Sequence, residues 1–545
     1  MTVGVERGEV DLFKGTGFVA DRVGERSIFS VLAREGRRLF PGGMFDDLFS
    51  SRGRRSVPPR TVATVLQRWF GLSDREASEA FEFDARWRYA CGCLDVDGGG
   101  FSHTVLVGMR ARLAASGRPR RIFDVVLDAA RAAGALSARR VLDSARVYDA
   151  VATQDTVTML YGAVRRALAA ADGAGCGESL RAVLGGGGAY ASAGRPACDW
   201  EDRAARAALV ADLAADAAAV LAAMEGRALG AAEAQAAELL AAVLGQDLEE
   251  GPDNRMRIAR RVGKDRVISV VDPDARHGRK SAAGGFDGYK GHIAVDPDCE
   301  LITGTAVTAG NAADASTAKE LIKDLTHADL TDADTTDADH TDADHTDSGD
   351  GGGVDVFEGR PVVYGDSAYG GGEFQQFLRD ERINSRCRTQ GPANRGGLYS
   401  KDRFDVDLDA GAVTCPAGVR VEIRRHRDGD GAARFGAACA PCELRPQCTG
   451  AKAGRTVRVG RHEAVLADAR GRSHNPAWKR DYRATRPKVE RRLAHLKRRW
   501  HGGRRARVRG RPKVDADFNL LAAAHNIARL AALGLHSGPT RWALA

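Results

Sequence analysis

PVVYGDSAYG, residues 361–370, decides the fold. Val362, Val363 and Tyr364 form a short apolar run of the kind that makes a buried strand, and Gly365 closes it before Asp366. EFQQFLRDERI, residues 373–383, follows as a helix. Working outward, RRVLDSARVYDAV at 139–151 reads as a strand in which Asp143 ends the apolar pair Val141-Leu142. RVISVVD at 266–272, YKGHIAVD at 289–296 and CELITGTAVT at 299–308 also read as strands, the last two joined by a Pro297-Asp298 turn. A helix is expected near 312–325. Strand, hairpin, helix, strand and helix in that order imply an α/β core with a mixed sheet.

The rest of the chain falls into blocks around that core. Residues 1–135 read as mostly helical. Ser73-Asp74-Arg75-Glu76 fits a capping box. Two readings of this block stand side by side: a DNA-binding module of short helices with basic ends, and a bundle that only packs on the core. Residues 157–250 are Ala-rich with helical period and read as an insertion. Residues 326–353 repeat Thr-Asp-Ala-Asp; they lack the spaced Gly and closing Glu of a calcium loop and read as a disordered, solvated loop. The expected division is 1–135, then a core in two parts, 136–390 and 456–545, separated by a cysteine-rich insertion at 391–455.

Charge narrows the choice of partner. The 545 residues carry 81 Lys and Arg against 73 Asp and Glu, and the segment 479–513 holds sixteen cations against only Asp481 and Glu490. A solvated helix face mixes signs, whereas this density of one sign suits a polyanion. The Ala-rich stretch Ala204–Gly245 is broken by charges, so no membrane span is expected. The opening MTVGVERGEVDLF lacks the pattern of a signal peptide, and a cytoplasmic protein with reduced thiols is expected.

Acids at strand ends are where open α/β sheets place chemistry. Asp143 and Asp366 can converge there on a divalent ion of the Mg²⁺ type. In YRATRPKVERRLAHLKRRW, Glu490 is the one carboxylate among cations, and helical spacing puts Arg486, Leu493 and Lys497 on its face. A metal-binding acid flanked by phosphate-binding cations suits phosphodiester chemistry. Against this, 73 acids always contain some Asp–Asp–Glu trio, and Glu490 could simply lessen repulsion in a basic helix. Asp296 and Glu373 are nearby acids outside the trio. His292 and Lys290, lone on a strand, read as structural before catalytic.

VLDSA around Asp143, FDGYKGHIAVD at 286–296, VTAGNAADAS at 307–316, VVYGDSAYG around Asp366, RPKVERRLAHLK at 486–497, NLLAAAHNIARL at 519–530 and FSHTVL at 101–106 together resemble the DDE transposases of bacterial insertion sequences. The resemblance spans most of residues 40–535. It implies a ribonuclease-H-like catalytic fold, with two Mg²⁺ (or Mn²⁺) ions held by Asp143, Asp366 and Glu490. It further implies water and a DNA 3′-hydroxyl as successive nucleophiles, with Tyr482, Arg486 and Lys497 completing a Tyr-Arg-Glu-Lys signature. Tyr482 stands one residue further from Arg486 than the family's spacing, and Ala145 stands where Thr is frequent. The implied partner is double-stranded DNA, as terminal inverted repeats and as target, bound by a homodimer. Arg504, Arg505 and Arg507 are the expected further DNA contacts. A transposase-derived DNA-binding regulator and a nuclease that cuts without joining are the competing functions.

Cys439-x2-Cys442-x5-Cys448, with Cys415 upstream, can supply four thiolates to one tetrahedral, structural Zn²⁺. Free or redox-active thiols are the other reading.

Overall fold

The computed structural model describes residues 15–49, 60–93, 99–151, 153–185, 190–251, 255–259, 263, 265–281, 284–326, 359–392 and 396–545. All of the acidic repeat except Thr326 lies outside the described residues.

The core is a mixed sheet. Its strands are β1 (Arg139–Tyr148), β2 (Arg276–Ser281), β3 (Gly284–Val295), β4 (Ile302–Ala309), β5 (Val362–Gly365) and β6 (Asn384–Cys387). They lie in the order β4-β3-β1-β5-β6, and β2 pairs with the first residues of β3. β1 runs antiparallel to β3 and parallel to β5, and β5 runs parallel to β6. Alternation along the strands gives each face its own core. Val141, Ala145, Val147, Ile293 and Tyr364 face one cluster, and Leu142, Ala294, Ala306 and Val363 face the other.

Helices cover both faces. α1 (Ile28–Leu39), α2 (Arg60–Trp69), α3 (Asp74–Phe83), α4 (Thr104–Ala115) and α5 (Arg121–Ala132) share the first cluster with the sheet and with the long C-terminal helix. The expected capping box is present: the Ser73 amide donates to Glu76 Oε2 at 2.7 Å, and the Glu76 amide donates to Ser73 Oγ at 3.2 Å. α6 (Thr156–Gly173), α7 (Arg203–Met224) and α8 (Ala231–Gln246) follow β1 and bury a cluster of their own around Leu160, Val164, Leu213 and Leu240. By length and composition α7 could cross a membrane, but Val210, Leu213, Ala217 and Val220 are packed against its neighbours. The second face of the sheet is closed by α9 (Gly372–Asp380). The basic region forms α10 (Glu463–Ser473), α11 (Pro476–Thr485), α12 (Pro487–Leu496) and α13 (Arg511–Ala532).

The cysteine-rich stretch builds two small sheets. β7 (Asp405–Asp407), β8 (Ala412–Thr414) and β9 (Arg420–Glu422) form one. β10 (Arg424–Arg425), β11 (Gly431–Arg434) and β12 (Thr456–Val459) form the other.

Three local expectations change. RVISVVD is not a ladder strand: only Val267 bridges to Arg276, because side chains take its backbone groups. Val267 N donates to Gln246 Oε1 at 2.8 Å, and Val270 N to Gln154 Oε1 at 2.8 Å. Residues 312–325 form three short turns, Asp314–Thr317, Ala318–Leu321 and Lys323–Leu325, in place of one helix. Asp143 does not end its strand: the antiparallel pairing with the 12-residue β3 carries β1 on to Tyr148.

Candidate active site

Register brings the first two acids together. Val141 pairs with Tyr364 across the parallel β1–β5 ladder, and Asp143 and Asp366 lie two residues beyond each. Asp143 thus marks the place where parallel pairing stops, with strands about 4.8 Å apart. Its side chain is buried and its Oδ1 accepts the Ser144 amide at 2.7 Å. Asp366 caps the turn Ser367–Tyr369, accepting the Ala368 amide at 2.9 Å.

Glu490 arrives on the first turn of α12. The helix expected to carry Arg486, Glu490 and Lys497 on one face is shorter than that: α11 ends at Thr485, Arg486 stands at the junction, and Pro487 takes the first position of α12, where its missing N–H costs nothing. Lys497 follows as the C-terminal cap. The junction drives Arg486 inward, 7% exposed, among the carboxylates. Its Nη2 lies 3.1 Å from Asp143 and 3.8 Å from Asp366, and its Nη1 lies 3.5 Å from Glu490. Burial works against that charge, yet Asp143 and Asp366 hold the guanidinium pKa above its ordinary value. Tyr482 reaches the same place, its hydroxyl donating to the Gly365 carbonyl at 3.3 Å, and its ring stacks on Trp478 at 5.0 Å.

Asp143, Ser144, Arg146, Glu490, Lys497 and Arg504 line an open groove of 540 Å³. Arg504 is positioned by backbone: its carbonyl accepts the Tyr148 amide at 3.0 Å, and the Ala506 amide donates to the Tyr148 carbonyl at 2.7 Å. The segment therefore extends the sheet beside the end of β1. Arg504 and Arg505 are exposed. Arg507 is half-buried and donates to the Leu72 carbonyl, joining the basic loop to the N-terminal helices.

Sequence reasoning missed a buried support on the other face of β1. Lys290 Nζ donates to Asp314 Oδ1 and to the Ala312 carbonyl, both at 2.7 Å, and Ser144 Oγ donates to Asp314 Oδ2 at 2.7 Å. Burial opposes ionisation of Asp314, but Lys290 and Ser144 hold its pKa below the ordinary value. Tyr369 is fully buried beside this group, and its hydroxyl has no hydrogen-bond partner. Burial, then Asp314, Asp143 and Asp366, pushes its pKa well up. The signal available in the sequence was alternation: Lys290 and His292 fall on the face of Ala294. His292 is fully buried and pairs with Thr308 Oγ1 at 2.8 Å.

The four cysteines Cys415, Cys439, Cys442 and Cys448 line one hollow of 480 Å³, with Phe404 and Phe435 in its wall. Burial raises the Cys448 pKa, and the other three thiols add to the rise. Among the described residues, no group of three or more His, Cys, Asp or Glu side chains stands at metal-ligand spacing. The three carboxylates nonetheless converge on one cationic group, and their oxygens are the donor type that a divalent ion of the Mg²⁺ kind takes.

No curated protein and no solved structure matches the chain. Two family models do. One, described as a transposase domain (DUF772), covers residues 31–112, and one described as a transposase DDE domain covers 414–531. The second includes Glu490, the signature residues and all four clustered cysteines; Asp143 and Asp366 lie outside both. A DDE domain implies an enzyme of DNA cleavage and transposition that uses divalent metal, with DNA as its substrate. The two matches, at opposite ends of the chain, together support an insertion-sequence DDE transposase.

Proposed function

We propose that the enzyme cuts the ends of an insertion sequence and joins them to target DNA, using Asp143, Asp366 and Glu490. The observation that carries this reading is the convergence of all three carboxylates within 4 Å of one buried guanidinium. The β4-β3-β1-β5-β6 order, with β3 antiparallel to β1, supports reading the core as ribonuclease-H-like. On this reading 136–390 and 456–545 make the core, 1–135 adds DNA contacts, and 157–250 and 391–455 are insertions.

Two Mg²⁺ or Mn²⁺ ions, when bound, would stabilise charge on the attacking and leaving oxygens of the phosphodiester. The protein's own groups do the remaining work. Asp143 and Asp366 are fixed by strand register, and the Lys290–Asp314–Ser144 group stiffens β1 beneath them. Arg486 balances the three acids, then turns to a phosphate oxygen beside the scissile bond. Lys497, Arg504 and Arg505 hold neighbouring phosphates, and Tyr482 ties α11 to the end of β5. Water and the freed DNA 3′-hydroxyl attack in turn. The enzyme works as a cytoplasmic homodimer on double-stranded DNA, taking the element's terminal inverted repeats and the target.

Replacing Asp143, Asp366 or Glu490 with Ala should leave the shift of a DNA fragment carrying the element end intact. Cleavage should fall below about 1% of wild type, since a metal supplies several kcal/mol. Exposed Glu373, paired with Lys319 at 3.0 Å, is the control: Glu373→Ala should stay active. Asp296 is no control, because it is fully buried and holds Ser137, Arg140 and two backbone amides. A folded Glu490→Ala that cuts normally overturns the assignment.

We assign Cys415, Cys439, Cys442 and Cys448, which line one hollow, as the residues that would hold one structural Zn²⁺. Elemental analysis should find about one zinc per chain, lowered in Cys442→Ser. A well-folded wild-type protein free of zinc removes the assignment.

A further inference from the structure

Trp500 stands apart from the other tryptophans. Trp69, Trp87, Trp200, Trp478 and Trp542 are buried or half-buried, whereas Trp500 is 62% exposed. Its main chain is nevertheless seated firmly. The Trp500 carbonyl lies against Gly71, whose φ of +64° and missing Cβ allow the approach. Next to it, His501 is buried against Trp69 and His525, with ring centroids 4.3 and 4.5 Å away. Arg68 Nη1 donates to the His501 carbonyl. A backbone anchored this way presents the indole to solvent at a fixed place.

That place is basic. Lys497, Arg498 and Arg499 precede it directly in the chain and Arg504 follows four residues on, all exposed. The Arg498 guanidinium lies 5.8 Å from the Trp500 ring centroid. Lys497 and Arg504 also line the groove that holds Asp143 and Glu490. Six residues of helix, a rise of roughly 9 Å, separate Glu490 from Leu496 at the end of α12, and Trp500 follows four residues later in the turn. An aromatic plate among cations is the arrangement by which proteins hold a nucleic-acid strand: the cations take phosphates and the ring takes a base face.

We propose that Trp500 is a base-stacking platform, which takes the face of one unpaired nucleobase in a DNA strand whose phosphates lie on Lys497, Arg498, Arg499 and Arg504. This rests on the reading that the groove binds DNA. It adds that the bound strand has an open base beside the site, which a fully paired duplex does not offer.

The test uses the full chain and three probes: a thymine dodecamer, an abasic oligomer of equal length and a mixed-sequence duplex. The dodecamer should quench tryptophan emission of the wild type. Trp500→Ala should lose most of that quenching and bind the dodecamer on the order of tenfold more weakly, while Trp500→Phe keeps most of the affinity. Wild type and Trp500→Ala should bind the abasic oligomer alike. Thermal unfolding should be the same for all three proteins, because the indole is exposed. Equal dodecamer affinity and quenching in wild type and Trp500→Ala overturn the platform while leaving DNA binding intact. So does a shift of Trp500 emission with protein concentration alone, which marks a contact between copies. Failure of the wild type to bind any probe overturns the DNA reading itself.

Discussion

β1 serves two groups of acids that solve the same electrostatic problem differently. At its middle, Asp143 gathers with Asp366 and Glu490 around a buried arginine. Just past its end, Asp149 lies with Asp272 and Asp287. Here the hydrogen-bond partners are hydroxyls, a backbone amide and an imidazole: Asp272 accepts the Tyr289 hydroxyl at 2.6 Å and the Gly510 amide at 3.0 Å, and Asp287 pairs with His277 and accepts from Thr153. Asp149 is 8% exposed, and its Oδ2 has no hydrogen-bond partner. Burial, then Asp287 and Asp272, pushes its pKa up to about 6, against a small opposing pull from Arg505. The first group therefore keeps a cation and the second keeps a proton close to neutrality. A cation can be exchanged for a metal ion, whereas a proton responds to pH.

The largest effect should come from removing the cation. Arg486→Ala leaves Asp143 buried beside two like charges, a loss of about 3 kcal/mol when one partner of a buried pair is deleted. Denaturant unfolding of metal-free protein should show it, and added Mg²⁺ should raise Tm more in the variant than in wild type. Unchanged stability would break the comparison, because the acids would then need no counter-charge.

Asp149→Asn should act in the opposite direction. A carboxyl whose pKa rises from 3.8 to about 6 on folding favours the folded state below pH 4, and that contribution is lost as pH rises through about 6. The Asn variant should therefore gain Tm relative to wild type at pH 8 and show no such gain at pH 4. An equal change at both values would assign the effect to packing.

The smallest effect sharpens the contrast. Arg505→Ala removes a cation that favours ionised Asp149, so its titration, followed by carboxyl NMR, should move upward from about 6. The same variant should flatten the dependence of log DNA affinity on log salt by about one unit, as for one lost phosphate contact. A fixed titration midpoint would show that solvent screens the pair.

Much of the molecule was legible in order along the chain. The apolar runs at 141–142, 289–295 and 362–364, the Pro297-Asp298 turn and the Ser73 capping box each follow from residues close in sequence, where local geometry decides. β6 was not legible: Asn384-Ser385-Arg386-Cys387 is polar, and becomes a strand only because β5 offers it a parallel partner. The helix that carries Glu490 was legible, but the break before Pro487 that turns Arg486 into the carboxylates was not.

By itself the sequence determined which residue types were available: two acids directly after apolar runs, a third in a basic helix, four cysteines at ligand-like spacing and a dense run of cations. Only tertiary structure decided their use. The parallel register set Asp143 beside Asp366, 223 positions away in the chain. Packing also sorted the arginines, leaving Arg504 in the groove, fixing Arg507 to the Leu72 carbonyl and burying Arg486. The reason is that a charge is defined by its surroundings, and for these groups the surroundings come from strands and helices far away in the sequence.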